Sequence, residues 1–416
     1  MANDENPSDP QDLPTDEEHL HNEGEPSETE IDTEEAEQLS PEEEAEARRY
    51  RVASLRWTLI DKAVDLIYLG TVAIFAGTIL LGWSKSIPWI GSTWTGQVIG
   101  VFLLVTAGHI VVSFPISYIG GFLLEHRFGL STLRFWKWLF RYLAGLVIMA
   151  VCIMGAMIVG LFWIIRLLDN WWWPAAALGF YGIAILLSWV LPVVVMPLFY
   201  QMKPLGRPEL YDRLRKLASR GGLTLEGVYR WGLSVETVKA NAAVVGLGTT
   251  RRVLLSDTLL AKFSDEEIGI VFAHEVGHHV KRHMKKMLAG SLVTSLFSFW
   301  MLHLVLGWRI GADTPISTIS PAMVPMILFV LTLFSLLGEP LLYAFTRHNE
   351  RQADRYALEE TNDPDAFRSA FRRLARQNKD DPNPPWLEVV LMYSHPPISE
   401  RIVQADRYES EQDNPA

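Results

Sequence analysis

Cysteine is nearly absent from this sequence. Cys152 is the single one in 416 residues, so no intrachain disulfide and no cysteine-held metal cluster can form. Any metal site must be built from histidine and carboxylate. Basic residues are missing from residues 1–47, which hold 19 Asp and Glu and no Lys or Arg. That stretch also has few large apolar residues, so it cannot bury enough surface to offset its ordering entropy. It is expected to be disordered to about Glu46, as a solvated end or an acidic docking tail. It lacks the basic start and apolar core of a signal peptide. The whole chain carries a formal charge of −11, and without this stretch the remainder is +8. Internal repeats are also lacking.

Apolar residues are abundant, at 49% with 15 Trp, and they are bunched. Six runs reach the roughly 20 residues that cross a bilayer: 64–83, 98–123, 144–165, 174–200, 287–308 and 322–345. Runs of this length without a polar face exclude an ordinary soluble helical core. The expected fold is a multi-pass α-helical membrane protein of about six spans with a cytoplasmic α+β zincin-like catalytic domain. Lys and Arg cluster before the first span (Arg48, Arg49, Arg51, Arg56), after the second (Arg127, Arg134, Lys137, Arg141) and in 201–286, whereas the opposite loops carry little beyond Lys85, Arg166 and Arg309. The positive-inside rule therefore places both termini and the polar segments in the cytoplasm. The expected organisation is an acidic tail (1–47), a four-span region (48–200), a first catalytic part (201–286), spans five and six (287–345) and a second catalytic part (346–416).

Within 201–286, LYDRLRKLASRGG (210–222) predicts a helix stopped by glycine. VKANAAVVGLG (238–248) and RRVLLS (251–256) predict two strands joined by a tight turn. Ser264 and Glu267 form a capping-box pattern. The helix it starts carries FAHEVGHHV (272–280) and is expected to run on through KRHMKK toward the fifth span.

On that helix His274 and His278 lie four apart and share a face, so both can reach one ion. Glu275, turned about 100° away, is placed to act on water instead. This is the HExxH arrangement: two imidazoles on zinc and a carboxylate general base, with hydroxide available at neutral pH. A solvated helix face rich in histidine, with His279 and His283 as further members, is the bland alternative. A third ligand is offered by TRHNERQADRYA (346–357). Glu350 completes a His2Glu set, and Asp354, one turn on, can accept the free ring N–H of a ligand histidine, His274 being the expected partner. His348 and Glu359 are rival ligands, but Glu350 has the fitting carboxylate partner at i+4, Asp354. Asp65, His109 and Glu339 stand inside apolar runs, lining a wet cavity or satisfied by neighbouring helices.

HEVGHH followed by TRHNERQAD resembles the type I CaaX prenyl protease family, membrane-embedded gluzincin zinc metalloproteases. EHRFGLST (125–132), PLFYQMKPL (197–205), KANAAVVGLGTTRRVLLSDTLL (239–260) and YSHPPISERI (393–402) agree in order, so the resemblance covers roughly 60–405. It implies a zinc endopeptidase facing a chamber among the membrane helices and cutting near the C-terminus of prenylated proteins or peptides. By motif matching, His274, His278 and Glu350 are ligands, Glu275 is the acid/base, and Asn241 contacts substrate. The following strand, Ala242, Ala243 and Val244, would pair with substrate backbone, either as an edge for β-addition or as an ordinary sheet strand. His395 and Arg401 match positions near the scissile bond, where His395 would serve as a donor and Arg401 as a second cation. The HPP segment read as a rigid turn, and Arg401 as a surface ion pair, are the structural alternatives. The eukaryotic pattern has seven spans and six are counted here, which implies a chamber more open at the side.

The expected partners are a peptide or protein substrate, with or without a prenyl group, and the lipid bilayer; no nucleic acid is expected. Competing readings are a quality-control metalloprotease for misfolded membrane proteins and a non-proteolytic metal transporter or receptor. A transporter would hold its ligands within the spans, whereas these stand at span ends beside a polar domain. With no lumenal disulfides and no eukaryotic retrieval signal, the bacterial cytoplasmic membrane is the expected location, or the endoplasmic reticulum in a eukaryote.

Overall fold

The computed structural model describes residues 38–190, 194, 196–245, 251–311 and 313–414. The expected disorder of residues 1–37 lies outside these. From Ser40 onward that expectation is corrected, because the helix Pro41–Thr71 opens with Ser40 and Glu43 in a capping box and Pro41 in the first turn. The cap satisfies amide groups that would otherwise be bare. Arg376 and Lys379 neutralise Glu43 and Glu46, so the acidic charge here is docked rather than solvated.

Among the described residues, five helical stretches are long and apolar enough to cross a membrane: Pro41–Ser86, Trp94–Arg127, Phe135–Val190, His283–Ile310 and Pro321–Thr361. The third has 56 residues. A single rod of that length would measure about 84 Å, nearly three times the hydrocarbon thickness. It is broken at Asp169, whose φ of 42° begins a 3-10 turn, Asp169–Trp171. The helices on either side, Gly155–Leu168 and Trp172–Val190, pack on each other. Divided there, the described residues hold six crossings, as the hydropathy runs imply. Their shared core holds Phe102, Phe162, Trp172, Leu302 and Ile327. The polar groups inside the spans are met by neighbouring helices: His109 Nε2 lies 2.6 Å from Asp65 Oδ1, and Lys62 Nζ lies 2.5 Å from Glu339.

Beside the helices lies a four-stranded sheet in the order β1-β2-β4-β3: β1 Met202–Pro204, β2 Gly227–Trp231, β3 Ala242–Val245 and β4 Arg252–Ser256. β1 is antiparallel to β2, β2 parallel to β4, and β3 antiparallel to β4 with Ala243 opposite Leu254. Residues 246–250, where the turn between β3 and β4 is expected, lie outside the described residues. The segment EHRFGLST docks against the approach to β3, with Thr132 N–H donating to Glu236 O and Val238 N–H to Leu130 O.

The helix predicted over 210–222 spans Pro208–Arg220, and Gly222 beyond it takes a φ of 68°. The motif helix, Asp265–Val280, starts at the predicted capping box of Ser264 and Glu267. Its expected continuation through KRHMKK is corrected: it stops at Val280, Arg282 adopts a left-handed φ of 56°, and a separate helix, His283–Ile310, begins. The chain thereby turns between domain and membrane, and His283 folds back on the motif helix. The helix Val324–Thr361 does the opposite, carrying the sixth crossing without interruption through Glu350 and Asp354.

Candidate active site

Two helices build the site, and a glycine lets them meet. A Cβ at Gly277 would stand 3.1 Å from Ala353 Cα and 3.1 Å from Tyr356 Cδ1. The motif helix and the helix Val324–Thr361 therefore touch backbone to backbone where His274 and His278 face Glu350.

At this contact three ligand-type atoms converge. His274 Nε2 is 3.2 Å from Glu350 Oε2, His278 Nε2 is 3.3 Å from Glu350 Oε1, and the two Nε2 atoms are 3.1 Å apart. Tetrahedral ligands at bond lengths of about 2.0–2.1 Å are separated by roughly 3.3 Å, so the spacing fits one metal ion. The hydrogen bonds agree. His274 Nδ1–H donates to Asp354 Oδ1 over 2.8 Å, which turns the Nε2 lone pair inward. Glu350 Oε2 is buried without a hydrogen bond of good geometry. Two imidazole nitrogens and a carboxylate facing one another need a proton or a metal cation between them. Burial opposes charge on His274, but its hydrogen bonds to Asp354 and Glu350 outweigh this and hold its pKa up to about 9. Glu275 lies at the same cavity, and burial pushes its carboxyl above the ordinary range.

The rival ligands are engaged elsewhere: His348 with Gln352, and Glu359 with Arg355. His395 Nδ1 approaches Glu350 Oε2 to 2.8 Å, and its ring is otherwise exposed to the cavity. Arg401 is among the residues lining the same cavity. It is buried, its Nε and Nη2 both bond Asp354, and its guanidinium lies 3.7 Å over the Phe371 ring. It grips the carboxylate behind His274.

A cavity of about 590 Å³ opens in front of these groups, with Asn241 and Ala242 on one wall and Arg51 and Leu55 of the first helix among its lining. β3 is an edge of the sheet. Ser256 N–H donates to Asn241 O over 2.9 Å, and with the β3–β4 register this turns Ala243 and Val245 toward β4 and the backbone of Ala242 and Val244 outward. Lys239, just before β3, is held by Tyr50 at 2.9 Å and Glu125 at 3.0 Å, which ties the strand to the first two membrane helices.

The sequence marks His283 only as a further histidine of the helix face and gives no role to Gln352. His278 Nδ1 is 3.0 Å from His283 Nδ1, His283 Nε2 is 3.1 Å from Gln352 Oε1, and Gln352 Nε2 is 2.8 Å from His348 Nε2. Read with every donor pointing outward, the chain leaves His278 Nε2 unprotonated toward Glu350. The signal in the sequence is His283 itself, which a helix continuing through KRHMKK would carry away from His278.

Comparison with known proteins agrees with this geometry. Residues 204–409 match the model of peptidase family M48, and residues 26–201 match the CAAX prenyl protease N-terminal model, described as five membrane helices. The chain belongs to peptidase family M48. Its M48 relatives include an uncharacterized metalloprotease, YhfN, of Bacillus subtilis, 27% identical over 76% of this chain and 74% of that one. CAAX prenyl protease 1 of Saccharomyces cerevisiae is 29% identical over 71% and 69%. The crystal structure of S. mikatae Ste24p shares the fold, with a TM-score of 0.78 at 24% identity, covering 88% of this chain and 90% of that one. This M48 protein is thus a membrane metalloendopeptidase. Where the N-terminal model has five membrane helices, the described residues between 41 and 190 make four crossings.

Proposed function

We propose that this protein is a zinc endopeptidase that cuts near the C-terminus of prenylated peptides or proteins, with its catalytic domain and termini on the cytoplasmic side. The observation that carries the reading is the tetrahedral-edge spacing of His274 Nε2, His278 Nε2 and Glu350 in the cavity that also holds Glu275. Two imidazoles and one carboxylate suit zinc. The bound ion supplies Lewis acidity toward the scissile carbonyl and the attacking water. Glu275 takes the proton of that water and returns it to the leaving amine; its raised pKa suits a group that must do both. His395, beside Glu350 and open to the cavity, donates to the oxygen where negative charge develops. Asp354 and Arg401 orient His274 and are positioning residues. An extended substrate adds to the open edge of β3 through the backbone of Ala242 and Val244, with Asn241 at the start of that edge.

Support for a prenylated substrate comes from relatives named as CAAX prenyl proteases. The alternation of basic loops supports the cytoplasmic side. The test pairs wild type with Glu275→Gln in detergent. Bound zinc is quantified, and cleavage is measured on farnesylated and unmodified forms of one CaaX peptide. About one zinc in each protein is expected, with cleavage by wild type alone and preference for the farnesylated form. Equal cleavage of both forms, or of unrelated membrane proteins, would favour quality control instead. Absence of zinc from both would sink the reading.

A further inference from the structure

We infer that the short helix Trp386–Met392 is seated in the interfacial layer of the bilayer, and that this contact holds the His395 loop over the site. The helix has two unlike faces. Trp386 and Val390 form one i, i+4 pair and Leu387 and Leu391 another. All four are exposed, Trp386 by 74% and Leu387 by 51%. On the other side Glu388 pairs with Arg51, and Met392 lines the active-site cavity. Four large apolar side chains on a seven-residue helix are more than scattered surface residues.

Its height is set by Arg347. That residue's Nη1 donates to Val389 O over 2.7 Å and to Tyr393 O over 2.5 Å, across the helix end. Arg347 belongs to the helix that makes the sixth crossing, two residues after Phe345, and Leu341, Leu342 and Phe345 are its last exposed apolar side chains. The short helix is thus anchored within about one helical turn, some 5 Å, of where the lipid-facing surface ends. An exposed Trp at this level suits the interfacial belt. The bilayer, rather than a second copy of the chain, is the occupant because the patch lies at the level where the exposed apolar side chains of a crossing helix end.

The functional link rests on the role proposed above for His395. Ser394–Pro397 leave directly from this helix, and His395 stands 2.8 Å from Glu350. A helix resting on the membrane is a strut for that loop. Because Cys152 is the single cysteine, one label can report the contact. In the full chain carrying Cys152→Ser, a spin label is placed at Leu387→Cys or, as control, at Ser410→Cys, and the protein is reconstituted with its metal in phospholipid nanodiscs. Power saturation then compares collisions with oxygen and with a water-soluble nickel chelate. The label at 387 is expected to favour oxygen and the label at 410 to favour nickel. Equal nickel access at both positions overturns the bilayer contact, and so does shielding at 387 that appears only when chains dimerise. The link to His395 is tested separately with Leu387→Glu/Leu391→Glu. Cleavage in nanodiscs should fall several-fold at unchanged bound metal, while Leu387→Phe/Leu391→Phe keeps the rate; an unaltered rate in the acidic variant overturns the strut but not the proposed chemistry.

Discussion

His274 Nδ1 and Asp354 Oδ1 lie 2.8 Å apart, although 80 residues separate them in the chain. One belongs to the motif helix and the other to the end of a membrane-crossing helix. The bond sets the tautomer that leaves His274 Nε2 free for a metal. Asp354→Asn is expected to weaken metal affinity about 10–100-fold, read by competition with a chromophoric chelator. Affinity within a factor of two of wild type would show that Asp354 does not orient the ring.

Metal binding should depend on pH with a definite sign. In the metal-free chain His274 is protonated up to about pH 9, against an ordinary 6.5. That proton must leave before a metal can bind, so apparent affinity rises with pH toward about 9. For one proton the slope approaches tenfold per unit. The same raised pKa stabilises the metal-free fold fully below about 6.5, and this share is lost as pH rises through about 9. Chelator competition and thermal melts across this window check both statements; a flat affinity profile contradicts the first.

Gly277 has no room for a side chain, since Ala353 Cα and O would lie 3.1 and 3.2 Å from its Cβ. Gly277→Ala asks for shifts of a few tenths of an ångström, and Gly277→Leu for displacement of a helix. Overpacking of this kind costs about 1–3 kcal/mol. Both variants should lose metal affinity, Leu much more than Ala, while far-ultraviolet circular dichroism keeps its helical content. A leucine variant with normal metal content would show that the helix contact does not set the ligand spacing.

Backbone alternation along β3 makes a proline scan informative. The Val244 N–H points to the open edge, whereas Ala243 pairs with Leu254 of β4. Val244→Pro should raise KM for peptide with little loss of fold, because proline is tolerated at an unpaired edge. Loss of one backbone hydrogen bond corresponds to about a 3–10-fold fall in kcat/KM. Ala243→Pro breaks the ladder and should lower the melting temperature as well. Equal effects of the two variants on KM and melting would remove β-addition from the account.

What the sequence determined by itself were the features that depend on near neighbours. Hydropathy over twenty residues marked six crossings, and i, i+4 geometry put His274 with His278 and Glu350 with Asp354. The Ser264 box marked the start of the motif helix; the same pattern at Ser40 and Glu43 was equally local, and was masked by the acidity around it. The tertiary structure alone decided the rest. Arg282 in the left-handed region ends one helix and begins another, so His283 reaches back to His278 instead of continuing past it. Arg401 turns to Asp354, 47 residues away, which no local rule ranks above a surface ion pair. The β3 edge is open because β4 lies between it and β2. Such partners are chosen by how whole helices and strands pack, at contacts like that of Gly277 with Ala353, and packing over those distances leaves no periodic trace in the chain.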